Sequence, residues 1–226
     1  ALGVVEPHGS GIGGEGMMIV YLARRGVAVA IDYRSTAPAT AKYEKTVPAL
    51  GHASVAVPGT VAGLTLALEK YGTMRLPTVM VSAIHVAAEG FKISETLGTA
   101  ITDHFVDVSA REPAARLFTA GGLPLEAGAT LKNPDLAASL RKISAGGRDA
   151  FYRGELADAV VAEMAAQGGF ITKQDLEAYK AIERVPVKGS YRGYTIYSAP
   201  PPVAGVSMLE MLQILEHFPV AKYPAQ

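Results

Sequence analysis

The apolar positions change period twice along the chain, from two to about 3.6 and back to two. Met17 to Ala23 and Val27 to Tyr33 are short apolar runs separated by Arg24-Arg25-Gly26. This pattern predicts two strands joined by a turn, with Gly26 at the position that needs φ > 0. In the second run Val27, Val29, Ile31 and Tyr33 alternate with Ala28, Ala30 and Asp32. Period two puts the bulky side chains on one face and the small ones on the other. Arg34, if the chain stays extended, falls on the face of Asp32.

The middle of the chain reads as helices with recognisable starts and stops. Thr60 to Lys70 is apolar at helical spacing and is stopped by Gly72. Pro77 to Glu89 begins with proline in the first turn, where no backbone N–H is needed, and stops at Gly90. A shorter helix starts at Ser94, with Glu95 in its first turn. Asn133 caps a helix that begins at Pro134 and ends at Gly146-Gly147, and Gly154 to Gln167 stops at Gly168-Gly169. Thr172, with Asp175 three residues on, has the spacing of a capping box.

The period then returns to two. Val185 to Tyr191 and Tyr194 to Ser198 predict a hairpin around Arg192-Gly193. Ala199-Pro200-Pro201-Pro202 reads as a rigid loop, and Val206 to His217 as a last helix. Strands at both ends with helices between predict an α+β fold rather than a βαβ repeat. No internal repeat, low-complexity tract or long linker divides the chain. Residues 1–226 are therefore expected to be a single partial domain.

Composition narrows the function classes. A hydrophobic fraction of 49% with 19% charged residues marks a globular rather than a disordered chain. The formal net charge of +0, and the lack of any basic run interleaved with aromatics, remove the case for nucleic acid or an anionic membrane surface. No run approaches the ~18 apolar residues of a membrane helix. The absence of cysteine excludes disulfides, thiolate-ligated metals and thiol nucleophiles. The start, Ala1-Leu2-Gly3-Val4-Val5, has neither an initiator Met nor a signal-peptide n-region, and Tyr223-Pro224-Ala225-Gln226 follows directly on a helical pattern. Both ends are expected to be cut.

Two features have candidate chemistry. Gly9-x-Gly11-x-x-Gly14 fits the dinucleotide fingerprint, with Asp32 about twenty residues on where a ribose-binding acid would sit. Against it, Pro7-His8 interrupts the short apolar stretch before the loop, Met17 to Leu22 reads at least as well as strand as helix, and no second βαβ unit follows Asp32. A tight loop where backbones approach closely is the favoured reading. The second feature is Arg34, at a strand end before a Pro-containing loop. A guanidinium there can grip a carboxylate through two parallel hydrogen bonds, or it can be a surface arginine paired with Asp32.

Nothing else assembles a site. His8, His52, His85, His104 and His217 are scattered without metal-ligand spacing, and no Gly-x-Ser-x-Gly elbow occurs. Glu177 and Glu183 read as exposed helix-end charges, and Met208 and Met211 as core filler. No catalytic residue and no metal or cofactor site is expected within this chain.

Ala1-Leu2-Gly3-Val4-Val5-Glu6-Pro7-His8-Gly9-Ser10-Gly11-Ile12-Gly13-Gly14 resembles the γ-glutamyltranspeptidase family, as does Ile31-Asp32-Tyr33-Arg34 followed by Thr36-Ala37-Pro38-Ala39. Val57-Pro58-Gly59-Thr60-Val61-Ala62-Gly63, Asp149 to Gly154, Gly168 to Thr172, Asp175-Leu176-Glu177-Ala178-Tyr179 and Ser198 to Pro202 extend the resemblance in family order over nearly the whole chain. It implies part of the large subunit of an N-terminal-nucleophile hydrolase with an αββα sandwich, made as a precursor that cleaves itself. It also implies a partner small subunit whose N-terminal Thr is the nucleophile, glutathione or another γ-glutamyl compound as substrate, and a periplasmic or secreted location. The arginine that grips the substrate's α-carboxylate falls on Arg34.

The sequence departs from the family pattern at Ser35, where Glu is frequent, at Glu15, where a further glycine is common, and at Val203-Ala204-Gly205-Val206, where Ser-Ser-Gly-Gly is usual. Ser35 and the Val203 to Val206 segment motivate a second reading, a cephalosporin-acylase-like or other amidohydrolase on the same scaffold. Thr36, Thr60 and Thr172 read as a loop residue, a helix start and a helix cap, and no start of a small subunit is found. A third reading is a non-catalytic relic or binding module. A subunit lacking its other half is expected to expose apolar surface where that half would dock.

Overall fold

The computed structural model describes residues 1–43 and 46–222, so the end at Tyr223 to Gln226 lies outside the described residues. A short helix α1 (Leu2–Val5) and the glycine-rich segment lead into an antiparallel hairpin of β1 (Met17–Leu22) and β2 (Val27–Asp32). The register runs from Met17 opposite Asp32 to Leu22 opposite Val27. Ala23–Arg25 make a single 3-10 turn closed by Gly26 at φ 63, the left-handed position expected of that glycine.

Helices α2 (Thr60–Tyr71) and α3 (Leu76–Glu89) follow, then β3 (Phe91–Lys92) and α4 (Glu95–Asp103). Next come α5 (Phe105–Ser109), α6 (Glu112–Phe118) and the short strands β4 (Thr119–Ala120), β5 (Leu123–Pro124) and β6 (Thr130–Leu131). Then α7 (Pro134–Tyr152), α8 (Glu155–Gln167) and α9 (Lys173–Ala178) lead to β7 (Ile182–Arg184), β8 (Val187–Tyr191), β9 (Tyr194–Ser198) and α10 (Gly205–Glu216). The fold is α+β, as the pattern predicts.

The predicted caps form. The Ser94 hydroxyl accepts from the Leu97 N–H at 3.2 Å, and the Asn133 side chain from the Leu136 N–H at 2.9 Å. Thr172 and Asp175 close both arms of the capping box, at 3.2 and 2.9 Å. Each supplies a backbone donor that the helix leaves without a partner.

Other elements differ from the prediction. The helix from Pro134 does not end at Gly146-Gly147. Gly147 kinks it at φ 60, and it resumes to Tyr152, carrying Phe151 and Tyr152 into the core. Val185 is 86% exposed and outside the hairpin, while Ile182–Arg184 form a separate strand that pairs with β2. The result is a three-stranded antiparallel sheet in the order β1-β2-β7. Glu183 therefore lies on a strand rather than a helix end, paired with Lys70 at 2.5 Å. The proline segment is a loop, with a turn at Pro201 and Pro202. Met211 lies on the open side of α10 and is 57% exposed, so only half-buried Met208 has an inward role. The burial of Phe151 and Tyr152 and the pairing of β7 with β2 are contacts with distant segments that override the local pattern.

Tyr152 is wholly buried in the largest apolar cluster, with Val57, Val61, Phe151, Ile171 and Leu176. Ala30 and Ile31, adjacent in β2, are both fully buried, so the middle of the sheet is covered on both faces. Helix α2 lies directly on the end of β2. A Cβ at Gly63 would stand 2.2 Å from the Tyr33 ring, and one at Gly59 would stand 1.9 Å from the Tyr33 carbonyl oxygen. Glycine at these two places is what lets the helix start approach the strand end that bears Arg34.

Candidate functional site

The glycine-rich loop is not a dinucleotide site. The strand after it is antiparallel to β2, and the Gly14 carbonyl accepts from the N–H groups of Gly59 and Thr60 at 2.9 and 3.1 Å. The loop abuts the start of α2 with a carbonyl rather than offering N–H donors to a phosphate. Asp32 is also committed. Its Oδ2 takes a 3.0 Å hydrogen bond from Arg184 on β7, and its Oδ1 accepts from the Arg34 N–H at 3.1 Å. Arg184 pairs with Ala30, two residues from Asp32 on the same face, so the ion pair is the diagonal contact of neighbouring antiparallel strands.

Arg184 thus takes the place that the sequence leaves open for Arg34 beside Asp32. Among the described residues the Arg34 guanidinium forms no ion pair. The backbone around it, by contrast, is tied on every side. Tyr33 exchanges hydrogen bonds with Gly16 at 3.1 and 3.4 Å, and Thr36 with Val57 at 2.9 and 3.3 Å. The Tyr179 hydroxyl donates to the Arg34 carbonyl at 2.8 Å, and the Ala39 N–H donates to Asp175 at 2.9 Å. A guanidinium without an ion-pair partner among the described residues, on a backbone held by these hydrogen bonds, is suited to binding a carboxylate from outside the chain, since less ordering remains for the binding step.

Two of the departures from the family pattern meet here. Glu15 Oε2 accepts from both the Ser35 N–H, at 2.5 Å, and the Ser35 hydroxyl, at 2.6 Å. The Ser35 hydroxyl, then its backbone N–H, hold the Glu15 carboxyl below its ordinary 4.5, with a smaller push the same way from the Arg34 charge. A carboxyl whose folded pKa is depressed stabilises the fold above its unfolded value and loses that contribution as pH falls through the folded one. Ser35→Ala is expected to move the Glu15 titration back up toward 4.5. Carboxyl NMR of glutamate-labelled protein reads this directly, and an unmoved titration would show that the hydroxyl is not what holds the charge.

Tyr179 and Tyr152 form a column behind the segment that bears Arg34. Their rings stack with centroids 5.5 Å apart and planes 7° apart. The Tyr152 hydroxyl donates to the Pro58 carbonyl at 2.7 Å and accepts from the Ala62 N–H at 3.3 Å. Burial pushes the Tyr152 phenol up to about 12 and raises that of Tyr179 as well. Both hydroxyls therefore stay protonated donors in the neutral range. Neither role is visible locally, although Tyr179 stands at the end of a motif already noted and Glu15 is noted only as a departure.

The remaining candidates stay apart. Thr36 pairs with Val57 in an isolated bridge, Thr60 is the first residue of α2 and Thr172 is a cap. No group of three or more metal-ligating side chains occurs among the described residues. A cavity of about 520 Å³ is an apolar groove lined by Met18, Val20, Leu64, Leu68, Met80 and Leu140, and Arg34 does not border it. No helix among the described residues is long and apolar enough to cross a membrane.

The glutathione hydrolase proenzyme of Escherichia coli (strain K12) is 40% identical over 99% of this chain and 40% of its own length. The acylase ACY 1 proenzyme of Pseudomonas sp. (strain SE83) is 41% identical over 97% of this chain and 42% of its own length. The chain thus spans about two fifths of these curated relatives. The crystal structure of Helicobacter pylori gamma-glutamyltranspeptidase superimposes with a TM-score of 0.93 at 33% identity, over 100% of this chain and 68% of that one. The chain accordingly has the fold of the corresponding part of that N-terminal-nucleophile hydrolase. The gamma-glutamyltranspeptidase family model matches residues 1–226 throughout, and the chain belongs to that family.

Proposed function

We propose that residues 1–226 are a partial domain of the large subunit of a γ-glutamyltransferase/glutathione hydrolase, and that Arg34 grips the α-carboxylate of the γ-glutamyl group. The observation that carries this reading is the Arg34 guanidinium, unclaimed by any described carboxylate and set on a backbone fixed by Asp32, Tyr179 and Gly16. The nucleophile is the N-terminal Thr of a small subunit released when the precursor cleaves itself. Its hydroxyl adds to the γ-carbonyl carbon, and its own amine takes the hydroxyl proton and passes it to the departing amine as the C–N bond breaks. Water or an acceptor amine then attacks the acyl ester, which frees the hydroxyl again. No cofactor enters these steps. A periplasmic or secreted location belongs to the same proposal.

The apolar groove over Met18 and Val20, with the open side of α10 at Met211 and Ile214, supports a subunit with a companion over a free-standing binding module. A second reading, an acylase acting on amides without an α-carboxylate, draws on the ACY 1 relative and on Glu15, a carboxylate beside the arginine that binds Ser35. A substrate panel on the complete, processed protein separates them. The γ-glutamyl reading expects release of glutamate from glutathione at a kcat/KM at least about 100-fold above that for acyl amides lacking the α-carboxylate, the discrimination expected when a site's charged group is left without its partner. A reversed preference would establish the acylase.

A further inference from the structure

The main-chain carbonyl of Arg34 is hydrogen-bonded by a side chain 145 positions away in sequence. The Tyr179 hydroxyl reaches the Arg34 carbonyl at 2.8 Å from a side chain only 4% exposed. Its ring cannot drift, because it stacks on Tyr152, whose hydroxyl is itself bound to the Pro58 carbonyl and the Ala62 N–H at the start of α2. Arg148 closes the column from behind. Its guanidinium lies 4.9 Å from the centre of the Tyr152 ring and also donates to the Tyr179 carbonyl. Gly59 leaves the space, since a Cβ there would stand 2.2 Å from the Tyr179 hydroxyl.

A core tyrosine could fill this volume as phenylalanine. The hydroxyl is spent on one acceptor, the main-chain carbonyl of the candidate carboxylate-binding residue. The geometry points to Tyr179 as a positioning residue for substrate binding, one that sets where the Arg34 guanidinium stands and so governs affinity for the carboxylate without touching the substrate. This rests on the γ-glutamyl reading above.

Without the hydroxyl, the Arg34 carbonyl loses its partner and the segment that bears Arg34 gains freedom, while the stacked ring and the core volume remain. Binding of the carboxylate must then include the cost of ordering the arginine.

The test is Tyr179→Phe in the complete processed enzyme, alone and combined with Arg34→Ala. The expected result is a rise of about tenfold in KM for a γ-glutamyl anilide with kcat within about twofold, the pattern of lost uniform binding. In the Arg34→Ala background the same change should leave KM unmoved, because the two act through one contact. A lower melting temperature with KM unchanged would make Tyr179 a purely structural residue and overturn the inference. Equal effects in both backgrounds would overturn it too. Failure of the unmutated enzyme to cleave any γ-glutamyl amide overturns the functional reading and this inference with it. Normal cleavage with an indifferent Tyr179→Phe overturns the inference alone.

Discussion

On the γ-glutamyl proposal, Arg34→Ala in the complete enzyme is expected to raise KM for γ-glutamyl substrates about thirtyfold and to leave amides lacking an α-carboxylate processed as before. Truncating one partner of a hydrogen-bonded charge pair costs about 2–5 kcal/mol, and much of that is the penalty of leaving the other charge without its partner. Arg34 is half-buried, which sets the expectation near the lower end, and 2 kcal/mol corresponds to about thirtyfold. The effect belongs in KM, since the carboxylate is distant in bonding from the scissile amide and is held alike in ground and transition states. Arg34→Lys keeps the charge but loses the planar fork, and is expected to recover only part of the loss. Steady-state kinetics on paired substrates, with and without the carboxylate, decide the matter. Equal losses on both would mean that Arg34 supports the fold rather than the ligand.

The largest expected effect on stability comes from a single methyl group, in Gly59→Ala. The backbone at Gly59 is not in the left-handed region, so the objection is one of space alone. The added Cβ would stand 1.9 Å from the Tyr33 carbonyl oxygen and 2.2 Å from the Tyr179 hydroxyl. Overpacking of a core commonly costs 1–3 kcal/mol, and contact with a main-chain atom on one side and a stacked ring on the other leaves no flexible neighbour to yield, so about 3 kcal/mol is expected. Such a loss would lower the melting temperature by several degrees and drain soluble protein from expression. Gly13, whose Cβ would meet nothing within 4 Å, is the matched control, and Gly13→Ala should melt close to the unmutated protein. Similar behaviour of the two would show that α2 can move away from β2, contrary to the close approach seen at Gly59 and Gly63.

Arg34 could be picked out from its place after a strand and, through the resemblance, from the motif around it. What surrounds it could not. Asp32 was the natural partner on spacing, yet Arg184 occupies it because β7 joins the sheet beside β2, and nothing near Ile182 marks so short a strand. Glu15 and Ser35 stood out as separate departures, and only the approach of the glycine-rich loop to the strand end shows that they are hydrogen-bonded to each other. The kink at Gly147 was legible as a break but not as a resumption, since the turn beyond it is held by burial of Phe151 and Tyr152.

What the sequence determined by itself is local. The caps at Ser94, Asn133 and Thr172, the hairpin closed by Gly26 and the limits of most helices each depend on atoms within about four residues, where side-chain chemistry and period act directly. Tertiary structure alone decided which guanidinium Asp32 keeps, which carboxylate Ser35 binds and which hydroxyl holds Arg34. Those contacts join segments 20 to 152 residues apart, so their partners are chosen by how the sheet, α2 and the tyrosine column pack together.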